Sequence, residues 1–305
     1  MLKMKIGLVL SNSPARSETF FISKIKGLKD RGYEMIIFAN KNNDFNVCEV
    51  VPHPVSESNS INLAFKLIIS FIKLILFRPF TLLRFLYLER KDDVSFIRSL
   101  KNLYLNSHIL SMKLDWLHFG FMTLTINRQN VAAAIKSRMG VSLRGYDICI
   151  YPLTHQKCYD NVWGKIDKVH SISNDLLKVA KEDGLSAKKP CHIITPAINL
   201  TYFNNNPRIW KKPKTIKFLT LSRLHWKKGL EHTLSALSML YKEGTQFRYK
   251  IVGEGPERER LIYAAHQLGI DKIVEFVGSV SHEETKRYYE NADIYLQYSI
   301  QEGYS

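Results

Sequence analysis

The first forty residues place a polar, helically spaced segment between two apolar runs. Residues 5–10 and 34–39 are short apolar runs typical of buried strands. Between them, the apolar positions of residues 17–31 recur at helical spacing, and Gly32 suits the end of that helix. Strand, helix and strand in this order predict a parallel sheet with a right-handed crossover.

The middle of the chain is less regular. Further short strands are predicted at 141–143, 148–151, 170–172 and 192–195. Residues 61–88 are strongly apolar, but four basic residues interrupt them, so the segment predicts one or two basic amphipathic helices broken near Pro79 rather than a membrane span. Such helices either lie in a membrane interface or pack on the sheet with their lysine stems along apolar surface. Both alternatives stay open.

The alternation restarts after a polar linker at 204–214. Strands are predicted at 216–221, 249–252, 273–277 and 293–297, and helices at 230–241 and from a capping box at Ser281 and Glu284 to Asn291. The sequence therefore predicts an α/β protein with two domains, 1–205 and 206–305. Because an α/β domain that ends on a strand lacks the helix that covers it, we expect the second domain to be incomplete.

Charge and cysteines limit the classes of partner. Among 305 residues, 44 Lys and Arg against 28 Asp and Glu give a net charge of +16, which favours an anionic partner. The basic residues are dispersed and match no nucleic-acid-binding motif, so a nucleic-acid-binding protein is the weaker alternative. The four cysteines form no C-x-x-C pair, which is typical of thiols in a reducing compartment. We therefore expect a cytoplasmic protein, peripheral at the inner face of the membrane if residues 61–91 contact anionic lipid.

A basic turn follows the predicted strand at 216–221. Residues 222–229 read S-R-L-H-W-K-K-G and open the next helix. Ligands of open α/β sheets bind beyond the carboxyl ends of strands, and a helix N-terminus favours phosphate. Arg223 offers a bidentate fork and Lys228 a second positive charge, so together they suit a diphosphate. On residue types alone, a solvated basic turn explains them as well.

This turn resembles the R-L-x-x-K-K-G motif of glycosyltransferase family 4. Three further motifs follow in the order of that family: V-G-E-G-P at 252–256, V-E-F-V-G-S-V-S at 274–281, and E-G-Y at 302–304, which resembles E-G-F. In the N-terminal half, S-E-T-F at 17–20 and H-F-G at 118–120 resemble family members of the exopolysaccharide and colanic-acid type. The resemblance implies a GT-B fold, in which two Rossmann-like domains face each other across a cleft, and a retaining glycosyltransferase of the hexosyltransferase type.

The resemblance also implies roles for individual residues. Arg223 and Lys228 would bind the donor diphosphate, and Glu302 would bind hydroxyls of the donor sugar; these three are the predicted catalytic residues. The other predicted donor-binding residues are Gly253, Glu254, Val280, Ser281, Gly303 and Tyr304. The predicted acceptor or sugar side consists of Ser17, Glu18, Thr19, Arg144 and Asp147. Three of these have a simpler account: Glu254 as a solvated loop acid, Ser17 as a helix N-cap and Asp147 as a turn residue.

Two departures from the family pattern limit the comparison. Arg144 stands where the family's H-G-x-D motif has its histidine, and arginine is a poor general base. The second glutamate of the family's E-x7-E pair would fall five residues beyond Ser305, so we expect a truncated protein. A truncated, inactive chain that binds nucleotide weakly is therefore the main alternative.

The family's chemistry retains the anomeric configuration. In this family the departing diphosphate is thought to assist the incoming hydroxyl on the same face of the sugar. No D-x-D triplet occurs in the sequence, in agreement with a metal-independent site without a cofactor. The predicted partners are a nucleotide sugar, a lipid-linked or polysaccharide acceptor, and an anionic membrane surface contacted through 61–91.

Overall fold

The computed structural model describes residues 4–14, 19–40, 45–54, 60–197, 200–203 and 213–303. The chain divides into two compact units between residues 197 and 198, earlier than the boundary predicted at 205/206. We call residues 1–197 unit 1 and residues 198–303 unit 2. Each unit has its own parallel sheet and its own hydrophobic core, so the α/β prediction is confirmed.

Within the described residues, unit 1 contains a seven-stranded sheet in the order β3-β2-β1-β4-β5-β6-β7. Its strands are β1 Lys5–Asn12, β2 Glu34–Asn40, β3 Glu49–Val51, β4 Trp116–Phe119, β5 Arg138–Leu143, β6 Lys168–Ser171 and β7 Cys191–Ile193. Each neighbouring pair is parallel. The carboxyl ends of these strands therefore meet at one edge of the sheet.

Helices cover both faces of this sheet. They are α1 Thr19–Asp30, α2 Ser60–Phe77, α3 Pro79–Lys91, α4 Phe96–Leu110, α5 Val131–Ala134, α6 Tyr151–Thr154, α7 Asp160–Trp163 and α8 Asn174–Glu182. Strand residues alternate between the faces: Leu8 packs in the cluster with Phe21 of α1, whereas Val9 packs in the cluster with Phe85 of α3. The break predicted near Pro79 is confirmed, because Pro79 begins α3.

The strand predicted at 148–151 is wrong. Residues 146–150 form a π-helical turn that leads into α6. Gly145 has φ +122°, and the Cys149 N–H donates to its carbonyl oxygen at 2.7 Å. The apolar run is thus coiled over the sheet edge rather than paired in the sheet, which a short apolar pattern cannot distinguish.

Unit 2 contains, within its described residues, a four-stranded parallel sheet in the order β10-β9-β8-β11. The strands are β8 Ile216–Leu221, β9 Phe247–Val252, β10 Val274–Gly278 and β11 Ile294–Tyr295, and the helices are α9 Leu200–Phe203, α10 Leu230–Lys242, α11 Arg258–Gln267 and α12 His282–Asn291. The predicted capping box is confirmed: Ser281 Oγ accepts from the Glu284 N–H, and Glu284 accepts from the Ser281 N–H.

Candidate functional site

The predicted diphosphate residues lie in the turn between β8 and α10. Residues 226–228 form a 3₁₀ turn, and Gly229, with φ +61°, begins α10. The Lys228 ammonium forms an ion pair with the carboxylate of Glu302, and both side chains are largely buried. The Arg223 side chain is exposed, and no hydrogen bond or ion pair joins it to the described residues. The structure thus brings two of the three predicted catalytic residues into contact and leaves the third on the open side of the turn.

Three glycines allow the loops of this site to approach closely. A Cβ on Gly253, which has φ +137°, would lie 1.9 Å from the Ser222 carbonyl oxygen. A Cβ on Gly255 would lie 2.2 Å from the Leu224 carbonyl oxygen, and one on Gly229 would lie 2.0 Å from that of Tyr298. These glycines are therefore required for backbone packing around the turn.

Other predicted donor-side residues already have contacts within unit 2. The Gly253 N–H donates to the Gly278 carbonyl oxygen at 2.8 Å. Glu254 is exposed and lies 3.8 Å from Arg258. Ser281 uses both its hydroxyl and its N–H in the capping box, beside half-buried Val280. Gly303 follows Glu302 in a half-buried bend. Tyr304 lies outside the described residues, and none of these assignments is tested by the contacts.

Two hydroxyls near the turn escaped the sequence analysis. Ser222 Oγ and Ser299 Oγ are buried and have no hydrogen-bond partner among the described residues. Ser222 precedes Arg223, and Ser299 lies between Tyr298 and Ile300. The Tyr298 carbonyl oxygen approaches Gly229. The Ile300 N–H donates to the Lys227 carbonyl oxygen at 2.7 Å. The only signal in the sequence was their place after β8 and β11. Buried hydroxyls without a hydrogen-bond partner are rare in folded proteins. The turn therefore has two hydroxyls whose hydrogen-bonding capacity is not used by the described residues.

Of the predicted acceptor-side residues, Ser17 and Glu18 lie outside the described residues, and Thr19 begins α1. The Arg144 guanidinium lies over the rings of Phe20 and Phe21, at 4.2 and 4.5 Å from their centroids. Its Nε donates to the Gly120 carbonyl oxygen at 3.2 Å. The Arg144 guanidinium is therefore held by stacking on aromatic rings and by a backbone carbonyl oxygen.

Asp147 connects two loops at the carboxyl edge of unit 1. Its Oδ2 accepts from the Met122 N–H at 2.9 Å, and its Oδ1 accepts from the Arg144 N–H at 3.0 Å. Burial raises the pKa of this carboxyl, while the backbone donors oppose the rise. These contacts favour the turn-residue account of Asp147 over contact with a sugar.

A row of polar side chains crosses the α1 face of the unit 1 sheet. His118 Nε2 lies 2.8 Å from Ser142 Oγ, which lies 2.8 Å from His170 Nδ1. At one end Lys24 Nζ lies 3.2 Å from His118 Nε2, and at the other His170 Nε2 lies 3.0 Å from the Ile194 carbonyl oxygen. We call these four side chains the polar row.

In the sequence, His118 stands out only as part of a motif, and the other three members of the polar row do not stand out. The alternation of strand side chains between the two faces of a sheet could have found the three strand residues. Leu117, Val141 and Val169 pack in the core on the opposite face, so the residue that follows each of them lies on the α1 face. Burial, with the Arg144 charge, lowers the pKa of Lys24 to about 8, and burial lowers the pKa of His170 to about 4. The pKa of His118 is also far below its usual value, chiefly because of burial.

An apolar stripe lies on the outer side of α2 and α3. Its exposed members follow helical spacing and are Phe65, Ile68, Ile69, Ile72, Ile75, Leu76, Phe80, Leu83 and Tyr87. The same helices bury Leu74, Leu82 and Phe85 in the core, so the stripe is additional to their packing face. None of the described helices has the length and apolar character needed to cross a bilayer.

No three His, Cys, Asp or Glu side chains of the described ranges cluster in a way that would hold a metal ion.

Comparison with known proteins finds a family model for the C-terminal part of this chain. Residues 203–305, which contain the turn, the three glycines and Glu302, match the family model described as glycosyl transferases group 1. HepE of Anabaena in complex with UDP-glucose superposes with a TM-score of 0.64 at 12% identity over 97% of this chain and 74% of HepE. This likeness confirms the GT-B fold.

Two curated relatives are similar to this chain. WcaL of Escherichia coli (strain K12), provisionally assigned as a colanic acid biosynthesis glycosyltransferase, is 26% identical over 186 residues, which is 60% of this chain and 45% of WcaL. The amylovoran biosynthesis glycosyltransferase AmsK of Erwinia amylovora is 23% identical over 318 residues, covering 97% of this chain and 76% of AmsK. The match with WcaL thus spans less than half of that relative.

Proposed function

We propose that this protein transfers a sugar from a nucleoside diphosphate sugar to a saccharide acceptor with retention of configuration. The observation that carries the proposal is the ion pair between Lys228 and Glu302 beside exposed Arg223, at the carboxyl end of β8. A diphosphate needs cations, and a sugar hydroxyl needs a hydrogen-bond acceptor. The turn offers both within one contact.

The chemistry asks the protein mainly to stabilise charge on the leaving group. The bond between the anomeric carbon and the diphosphate oxygen breaks, and its electron pair stays on the diphosphate. The acceptor oxygen bonds to the anomeric carbon, and its proton passes to the diphosphate. Arg223 and Lys228 would stabilise the developing charge, since positioned cations are strongest where charge develops in the transition state. Binding of the diphosphate would release Glu302 from Lys228 and free its carboxylate for the sugar.

A sugar-transfer assay with the whole chain tests the proposal, using UDP-glucose, the ligand of HepE, as the first donor. We expect Lys228→Gln and Glu302→Gln each to reduce transfer or donor hydrolysis by about 100-fold, as for other charged groups that act on a transition state. Lys242→Gln, at the far end of α10, is the matched control and should change little. Unaltered turnover in Lys228→Gln and Glu302→Gln would reject the site.

The ion pair also has a purely structural alternative, in which it only fastens the loop after β11. In that case Lys228→Gln and Glu302→Gln would lower the melting temperature equally and leave donor binding intact. On our proposal the two variants differ. Lys228→Gln weakens binding of UDP, whereas Glu302→Gln weakens only the part of UDP-glucose binding that depends on the sugar. Titration of UDP and of UDP-glucose into both variants separates the two accounts.

For the acceptor, we infer a polysaccharide or lipid-linked saccharide presented at an anionic membrane surface. The names of WcaL and AmsK support polysaccharide synthesis. The apolar stripe supports membrane contact, because Leu76 is 68% and Phe80 79% exposed on neighbouring helices that also carry lysine and arginine. Such helices bind the interface through apolar area and attraction to anionic lipid.

Flotation with liposomes tests this inference. Binding to vesicles that contain anionic lipid should fall at high salt and fall further in the double variant Leu76→Gln/Phe80→Gln. The control is Leu153→Gln, which alters another exposed leucine of unit 1, 75% exposed on α6. Absence of lipid-dependent flotation in the unaltered protein would reject the membrane contact without affecting the donor site.

A further inference from the structure

The polar row of unit 1 has a fixed arrangement of protons. The Ile194 carbonyl oxygen only accepts, so His170 Nε2 must carry a proton and donate to it over 3.0 Å. A neutral His170 then has an unprotonated Nδ1, which accepts the Ser142 hydroxyl proton over 2.8 Å. Because that hydroxyl has only one proton, its oxygen must accept from His118 Nε2. His118 is thus fixed as the Nε2–H tautomer.

This arrangement determines what Lys24 can do. The Lys24 Nζ lies 3.2 Å from the protonated Nε2 of His118. That N–H already donates to Ser142 Oγ, so a neutral amine can only turn its lone pair toward the same hydrogen as a second acceptor, whereas an ammonium would place N–H against N–H. The row therefore favours the neutral amine. Burial and the neighbouring Arg144 guanidinium act in the same direction and lower the pKa of Lys24 to about 8.

No carboxylate compensates the Lys24 amine among the described residues. The charged or titratable groups around it are Arg144 from the loop after β5, His118 from β4 and His170 from β6. Arg144 is held in place by Phe20, Phe21 and the Gly120 carbonyl oxygen. Lys24 is partly buried rather than fully enclosed. Since no described carboxylate pairs with it, an oxyanion ligand would supply a counter-charge to its ammonium form.

We propose that Lys24, beside Arg144, binds a phosphate-type oxyanion at the carboxyl edge of the unit 1 sheet, and that binding is accompanied by uptake of a proton by Lys24. The oxyanion stabilises the ammonium, the amine gains its third N–H donor, and the contact with His118 Nε2–H is broken. This proposal uses other cations than Arg223 and Lys228, and its test does not require the transfer reaction.

Calorimetric titration of sulfate measures the site, because sulfate does not itself titrate in this pH range. Repeating the titration at pH 8.5 in buffers of different ionisation enthalpy gives the number of protons taken up. We expect about 0.7 proton at pH 8.5 and nearly none at pH 6.5, where Lys24 is already protonated. Binding with no proton uptake at pH 8.5 would overturn the proposal.

Three variants locate the proton. Lys24→Gln should lose at least about 10-fold in sulfate affinity and all of the uptake, whereas Lys24→Arg should keep most of the affinity without uptake, because arginine is always charged. Lys26→Gln alters an exposed lysine of the same helix and should behave as the unaltered protein. Equal uptake in Lys24→Arg and in the unaltered protein would assign the proton to another group.

Ser142→Ala gives a result that a merely structural role would not produce. Without the hydroxyl, His118 is free to present an unprotonated Nε2, which accepts from the Lys24 ammonium. Lys24 is then protonated before the anion arrives. We expect proton uptake at pH 8.5 to fall by at least half while sulfate affinity is kept or increased. An uptake as large as in the unaltered protein would contradict the proton arrangement.

The source of the oxyanion is identified by two further ligands in a protein with Arg223→Gln and Lys228→Gln. If the phosphate belongs to a lipid-linked acceptor, farnesyl phosphate binds with the uptake measured for sulfate. If it belongs to the donor, UDP does so. Failure of both ligands and of sulfate would reject the site, whatever the activity of the transferase.

Discussion

The two sheets of this protein both carry cations at their carboxyl edges, but they do so in opposite ways. In unit 2, Arg223 and Lys228 stand five residues apart in one turn, and Arg223 is open to solvent. In unit 1, Lys24 of α1 lies against His118, and the contacts continue through Ser142 to His170 on two further strands. One set of cations belongs to a local motif, and the other is assembled by the topology.

The difference affects protonation. Arginine as a residue type keeps its charge at any pH near neutrality, so the unit 2 turn always includes a cation. Lys24 lies in a part-buried row where the neutral amine is favoured, so its charge depends on pH and on ligand. On our proposals, the carboxyl edge of an α/β sheet forms a fixed anion site in unit 2 and a titrating one in unit 1.

The largest contrast is expected for glycine substitutions in the two units. Gly253→Ala introduces a Cβ 1.9 Å from the Ser222 carbonyl oxygen at φ +137°. It should destabilise unit 2 by about 3 kcal/mol or more, as expected for a strained backbone with a steric overlap. Gly27→Ala lies within α1 with no atom within 4 Å and should stabilise unit 1 by about 0.5–1 kcal/mol.

Hydrogen exchange of the strand amides in each unit, read by mass spectrometry, measures both effects separately. Protection should fall in β8 and β9 for Gly253→Ala and rise in α1 for Gly27→Ala. Equal behaviour of the two variants would mean that the close approach of the loops does not constrain unit 2.

A smaller contrast is expected in the pH dependence of anion binding. Lys24 must be protonated to bind an oxyanion, and its pKa is about 8, so the affinity is fully present below pH 8 and is lost above it. Sulfate affinity at the unit 1 site should therefore fall about 10-fold from pH 7 to pH 9. UDP affinity at the unit 2 turn should change by less than about threefold, because arginine keeps its charge over this pH range. Parallel titrations at the two pH values check both, and a common pH profile would remove the distinction.

The smallest contrast concerns acid stability. Burial lowers the pKa of His170 to about 4 and that of His108 to about 3, both in unit 1. The unfolded chain binds protons at these positions below about pH 6.5 while the folded unit does not, so stability falls as the pH drops from 6.5 toward 4. Between pH 6.5 and 5.5 each of these two imidazoles should cost unit 1 up to about 1 kcal/mol of stability.

Unit 2 should respond less to acid. His225 also has a lowered pKa from burial, but it lies on a surface turn. Exchange rates of β4–β6 against β8–β10 at the two pH values measure the difference. Greater acid loss in unit 2 would show that the imidazoles of unit 1 are not buried in neutral form.

Most of unit 2 could be predicted from the sequence because its signals are local. Strand β8, the start of α10 and the capping box of α12 depend on residues within a few positions of each other. The same holds for the break at Pro79 in unit 1. The spacing of apolar residues, the positions of proline and the helix-capping residues are sufficient to predict such elements.

The parts that could not be predicted depend on distant residues. Nothing local distinguishes the helical run at 148–151 from a buried strand; the Gly145 turn and the Asp147 contact with Met122 decide it. The polar row joins residues up to 146 positions apart, from Lys24 to His170, so only the strand order brings them together. The contact between Lys228 and Glu302 likewise requires β11 to lie beside β8.

The central claim is that the turn after β8 binds the diphosphate of the donor. Titration of UDP into the whole protein and into the double variant Arg223→Gln/Lys228→Gln tests it most directly, with Lys242→Gln as the control. The account predicts a loss of at least about 100-fold in affinity for the double variant, about 2.7 kcal/mol, and no change for the control. Equal UDP affinity in all three proteins would contradict it.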